Sequence, residues 1–234
     1  MFGVLKVHPI QALLIIVGMF LCLEVSDAAR TAQNGKADSK EMLPIVKVFN
    51  TTKMLWLYWK NSTDKTIEME ESQESSQLDH NLTLECTFIR KYNISDKDFN
   101  FWWGTKVNGD MMRVPCYGNF SSGGSESLGS MDTWALFVEQ QPFPFQTMTL
   151  MYTEKKCSVF FVTPMENGAA TGCELYVRNK AISEGPSQNC SEYYDNHCKN
   201  RTAVYNSTCQ TEVEKGVQKF NKWLVSQIVG SVLE

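Results

Sequence analysis

The sequence predicts an all-β protein: eight antiparallel strands in up-and-down order, closed into a barrel and followed by helix. Three observations predict it. Runs of aromatic and β-branched residues recur at short spacing from Lys53 to Asn179. Turn residues such as Asn108-Gly109 and Asn167-Gly168 separate them. Helical periodicity appears only after the last run. Eight antiparallel strands joined by short connections close naturally into a barrel, because closure removes the exposed edges. A barrel of that size has a lumen able to hold one small ligand.

The elements follow in order. Residues 1–28 read as a secretory signal, with Lys6 as the positive region, an apolar stretch from Ile10 to Leu23 and a small-residue cleavage site at Ser26-Asp27-Ala28. Residues 29–43 are polar and aperiodic, the pattern of a disordered arm. The barrel domain spans 44–209. Its first strand is Lys53–Trp59, and the acidic, Ser/Gln-rich stretch Glu68–Asp79 is a long solvated loop that could steer cations towards the barrel mouth. Leu82–Arg90 alternates between two faces. Phe99, Phe101 and Trp103 alternate next, and Asn108-Gly109 turns the chain into Met111–Tyr117. A Ser/Gly loop, Asn119–Ser130, leads to strands Met131–Val138, Gln146–Thr153, Cys157–Thr163 and Thr171–Asn179. Pro186 can sit in a first helical turn ahead of Cys190–Cys198. Residues 210–234 carry an amphipathic stripe of Val213, Val217, Phe220, Leu224 and Ile228.

Composition narrows the function. With 22 basic and 26 acidic side chains the chain is mildly acidic, which argues against nucleic acid as a partner. After the signal no stretch is long and apolar enough to span a membrane. Eight Asn-x-Ser/Thr triplets, at Asn50, Asn61, Asn81, Asn93, Asn119, Asn189, Asn200 and Asn206, are candidate glycosylation sites and agree with secretion. Removal of the signal leaves seven of the eight cysteines, hence at most three internal disulfides and one leftover thiol. No nucleophile elbow, phosphate-binding loop, dinucleotide fingerprint or zinc-peptidase motif is present, and no C-x-x-C pair starts a zinc site. His80 and His197 read as surface loop residues. The expectation is a monomeric binding protein with no enzymatic activity, no metal and no cofactor.

Several motifs resemble the salivary lipocalins of ticks, the family that includes the histamine-binding proteins. Gly172-Cys173-Glu174-Leu175-Tyr176-Val177 resembles that family's C-[DE]-L-[WY] strand, and Lys156-Cys157-Ser158-Val159 its C-x-V partner strand. Phe49-Asn50-Thr51-Thr52 with Leu55-Trp56-Leu57-Tyr58 is similar to the opening strand. Cys190, Tyr193-Tyr194, Cys198, Val204-Tyr205 and Cys209 are similar to the closing helix and tail. The acidic-tryptophan element that the family's amine binders carry before the first strand is absent from Leu43–Val48. The resemblance implies a lipocalin barrel, secreted in saliva, that captures a small host mediator without turnover. It also implies disulfides Cys86–Cys209, Cys157–Cys190 and Cys173–Cys198, with Cys116 left over. Cys116 paired with Cys173 or Cys198 is the alternative.

Those pairings orient the strands. Cysteines that bridge to a helix outside the barrel point outward, so their neighbours at period two point inward. Glu85 and Thr87, Ser158 and Phe160, and Glu174 and Tyr176 are then expected in the lumen. Of these, Glu85, Glu174, Tyr176 and Phe160, with Trp56, Tyr58 and Trp103, form the expected ligand-binding set, in which carboxylates and ring faces hold a protonated amine such as histamine or serotonin. Trp134 and Tyr152 add aromatic surface. In the opposite orientation Leu84, Cys86 and Phe88 line an apolar lumen for a fatty acid or leukotriene, and Arg90 or Arg178 meets its acid group. A third reading, of a different class, is a decoy that binds a host protein through its outer surface.

Overall fold

A computed structural model describes residues 42–61, 84–137, 141–165 and 171–232. The expected signal, most of the arm, the acidic loop, His80 and Asn81 lie outside them. Eight strands form a closed antiparallel up-and-down ring: β1 (Leu55–Lys60), β2 (Leu84–Ile94), β3 (Asp98–Val107), β4 (Asp110–Ser121), β5 (Ser130–Ala135), β6 (Phe143–Thr153), β7 (Cys157–Pro164) and β8 (Gly172–Arg178). The expected barrel is therefore present. The Asn108-Gly109 turn takes positive φ at both residues, 49° and 94°, the backbone that a two-residue hairpin needs to match strand twist. β4 runs on through Asn119, Phe120 and Ser121, so the Ser/Gly loop is shorter than its composition suggests.

The ring closes by a short seam. β1 meets β2 only at Leu55↔Ile89 and Trp56↔Phe88. Beyond that point a two-residue strand, β9 (Thr202–Ala203), pairs with Trp59 and Lys60. Val204 then accepts a hydrogen bond from the Cys86 N–H at 3.0 Å and donates one to the Tyr58 carbonyl at 3.1 Å. The chain after the second helix thus stitches the gap that β1 and β2 leave open.

A helix that the sequence pattern does not reveal plugs one end. α1 (Pro44–Phe49) buries Ile45, Val46, Val48 and Phe49. Six residues rich in β-branched side chains do not hold a helix by propensity, so packing must hold this one. Phe49 stacks on Phe99 at 5.0 Å and on Phe160 at 5.5 Å between ring centroids. Ile45 seats against Gly129, where a Cβ would lie 2.5 Å from the Ile45 side chain and where φ is +116°. Phe49–Thr52, expected to open the first strand, instead ends this helix and leads to a strand that starts at Leu55.

α2 (Gln188–Cys198) lies against β7 and β8, capped by Ser187, whose hydroxyl accepts the Cys190 N–H at 3.2 Å. Pro186 sits just outside the cap rather than in the first turn. Disulfides hold both ends of the helix, Cys157–Cys190 and Cys173–Cys198. α3 (Cys209–Val232) begins at the third, Cys86–Cys209. Val213 is buried on its inner face and Val217 packs beside it. No described helix is long and apolar enough to cross a membrane.

Candidate functional site

Two apolar clusters separate the faces of the wall. The inner one gathers α1 with Leu55, Leu57, Ile89, Phe99, Phe101, Cys116, Met131, Met148, Phe160 and Tyr176. The outer one gathers the six bridged cysteines with Trp56, Phe88, Val159, Leu175, Val177 and Tyr194 under the helices. β8 alternates between them without a break: Cys173, Leu175 and Val177 face out, whereas Glu174, Tyr176 and Arg178 face in.

Glu174 is the chemical feature of the lumen. It stands opposite Phe160 of β7 on one side and Lys60 of β1 on the other. Residues directly opposite in an antiparallel pair share a face, so this row of three crosses the inner wall. The Tyr176 hydroxyl donates to the Glu174 carboxylate at 2.8 Å. Burial, followed by the adjacent carboxylate, pushes the Tyr176 phenol well above its ordinary range, which keeps it a donor. Its ring meets Phe160 edge-on at 5.7 Å. Trp103 also packs against the inner cluster and meets Phe145 edge-on at 5.5 Å.

Other polar groups of the lumen satisfy one another. The Thr87 and Thr105 hydroxyls lie 2.8 Å apart, and Thr105 also donates to the Glu85 carbonyl at 3.1 Å. Thr133 donates to the Gln146 carbonyl at 2.6 Å. Ser158 bonds Thr153 at 2.8 Å. Arg178 donates to the Val48 carbonyl at 3.3 Å, at the C-terminal turn of the plug, where a cation complements the helix dipole. Cys116 is a free, buried thiol among the inner residues, and burial pushes its pKa up to about 12.

Three members of the expected ligand set face away from the lumen. Glu85 pairs across the strands with Lys106, their charged atoms 3.5 Å apart, and Lys106 reaches Glu212 of α3 at 2.7 Å. The cause is a bulge in β2 between Glu85 and Phe88, with Cys86 in the left-handed region at φ 54°. One extra residue turns everything before it to the other face. Thr87, on the far side of the bulge, stays inside. Trp56 lies outside against Phe88 and Tyr205, its indole N–H donating to Asn179 at 2.8 Å. Tyr58 stacks on Tyr205 at 5.8 Å, also outside. A second bulge, between Leu57 and Trp59, returns Lys60 to the inner face. Lys60 is the lumen residue that strict alternation misses, because alternation groups it with Trp56 and Tyr58.

Of the remaining aromatic surface, Trp134 meets Tyr117 and Tyr152 stacks on Tyr193, both on outer positions. Arg90 is exposed on the outer wall, so of the two arginines considered for an acidic ligand only Arg178 reaches the lumen. The three disulfides are those that the family resemblance implies. Glu154 lies near Cys157 and Cys190, but sulfurs joined in a disulfide offer no thiolate to a metal. Among the glycosylation candidates Asn50, Asn93, Asn119, Asn189, Asn200 and Asn206 are exposed. Asn61 differs: its amide donates to the Cys198 carbonyl and accepts the Cys173 N–H, tying β8 to the end of α2.

A closed eight-stranded ring around an inner face with a few placed polar groups, flanked by a disulfide-held helix, defines a lipocalin-like ligand-binding barrel. Residues 125–211, from the loop before β5 to the start of α3, match the family described as tick histamine binding protein. The match is consistent with the tick salivary lipocalins, which bind small molecules rather than transform them. No curated protein matches the chain significantly.

Proposed function

We propose that the chain is a secreted barrel that sequesters a small protonated amine of the histamine or serotonin class in its lumen. The observation that carries this reading is Glu174, an inward carboxylate oriented by the Tyr176 hydroxyl at 2.8 Å and flanked by the Phe160 ring. A carboxylate pairs with an ammonium group, and neighbouring rings add cation–π and stacking contact. Three disulfides suit an oxidising compartment and hence secretion. The absent acidic-tryptophan element means that Glu174 supplies the charge without help from the segment before β1.

One observation favours a second reading. Lys60 is buried on the inner wall directly opposite Glu174, and most of the surrounding wall is apolar. Such a wall also suits a fatty acid or leukotriene, with Lys60 meeting its carboxylate. Titration calorimetry with histamine, serotonin and a long-chain fatty acid separates the two. Glu174→Gln should weaken amine binding by about 2–4 kcal/mol, roughly 30- to 1,000-fold. Absent amine binding removes the amine reading, whereas equal binding by both forms removes Glu174 from the site. Fatty-acid binding that Lys60→Gln abolishes establishes the second.

A further inference from the structure

The outer wall carries two arginines for which the ligand-binding lumen has no use. Arg90 of β2 stands directly across from Trp102 of β3 and shares its outward face. Arg113 of β4 reaches over the same indole from the other side, its guanidinium carbon 4.6 Å from the ring centroid. Trp102 therefore lies between two cations. Among the described residues neither guanidinium has a carboxylate partner, and the Arg113 Nε is buried without a hydrogen-bond partner. Burial and then the charge of Arg90 lower the Arg113 pKa, the behaviour of a cation crowded by a like charge. Two unneutralised guanidiniums around one ring disfavour each other until an anion joins them.

We propose that Arg90, Trp102 and Arg113 form an outer-wall site for a sulfated polysaccharide. Guanidinium forks take sulfate oxygens in pairs, and an indole face stacks against a sugar ring. The surroundings limit the footprint. Lys106 with Glu85 and Glu212 bounds the patch on one side. Asp98, bonded by Tyr117, and Asp132 of β5 bound it on the other. Duplex nucleic acid demands a far wider basic surface. An acidic peptide adding as a strand requires a free sheet edge, and the patch lies on the middle strands of a closed ring.

The full chain should be titrated at low salt with a heparin-derived tetrasaccharide, with its desulfated counterpart, and with an Asp/Glu-rich peptide of equal charge. The expected result is binding of the sulfated sugar alone, weakening as salt rises. Arg90→Gln and Arg113→Gln should each weaken it by about tenfold, while Lys180→Gln, an exposed charge elsewhere, changes it less than about twofold. The Arg113 Nε–H resonance should move as the sugar is added. Arg90 is exposed and its side chain makes no hydrogen bond or ion pair among the described residues, so its variant is expected to fold, and an unchanged far-UV circular dichroism spectrum separates loss of binding from loss of fold. No binding of the sulfated sugar, equal binding by both arginine variants and the native chain, or preference for the peptide overturns the proposal.

Discussion

Two stretches of wall, β8 and the start of β2, carry a carboxylate beside a bridged cysteine, and they behave in opposite ways. On β8 alternation is unbroken, so Cys173 faces α2 while Glu174 faces the lumen. On β2 the cysteine itself sits in a bulge at φ 54°, and Glu85 turns out to Lys106 beside α3. The same residue pair yields a lumen carboxylate in one place and a surface ion pair in the other. A cysteine bridged to an outer helix reports the face of its neighbours only where the strand is regular.

The largest test of this contrast removes the bond that anchors the bulge. Cys86–Cys209 closes a loop spanning 123 residues, so Cys86→Ala with Cys209→Ala should cost about 4–5 kcal/mol of stability in denaturant titrations. A loss near zero would mean that the β9 stitching alone holds the seam. Replacing Glu174 by Gln comes next, with the affinity loss given above. Tyr176→Phe deletes the bond that orients the carboxylate, and calorimetry should show amine affinity falling by about 1.5–3 kcal/mol. Unchanged affinity there would leave Glu174 oriented by its other neighbours. Glu85→Gln should have the smallest effect. Its side chain is 43% exposed and its ion pair lies at the surface, so stability should move by less than about 1 kcal/mol and amine affinity not at all. A large affinity change in that variant would return Glu85 to the lumen and undo the bulge argument.

Cys116 offers a pH-dependent check on which groups the inner wall buries. A thiol held up at about 12 stays protonated at pH 8, and the thiolate is the reactive form. A thiol reagent should therefore leave Cys116 unlabelled in the folded chain at that pH and label it once the chain unfolds with its disulfides intact. Fast labelling of the folded chain would place Cys116 outside the inner cluster.

Much of the architecture is written in local pattern. Strand count and order follow from period-two runs and turn residues such as Asn108-Gly109, because pleat and hairpin backbones impose themselves over a few residues. The inward placement of Glu174, Tyr176 and Phe160 follows from alternation along β7 and β8, whose pairing carries no bulge. The plug helix, the outward turn of Glu85, Trp56 and Tyr58, and the inward return of Lys60 have no such local signature. α1 exists because the Phe99, Phe120 and Phe160 rings receive Phe49. The β2 bulge exists where Cys86 meets both Val204 and Cys209, more than a hundred residues further along the chain. Alternation is a property of neighbours in sequence, whereas a bulge or a buried short helix is held by partners that only the closed barrel brings together.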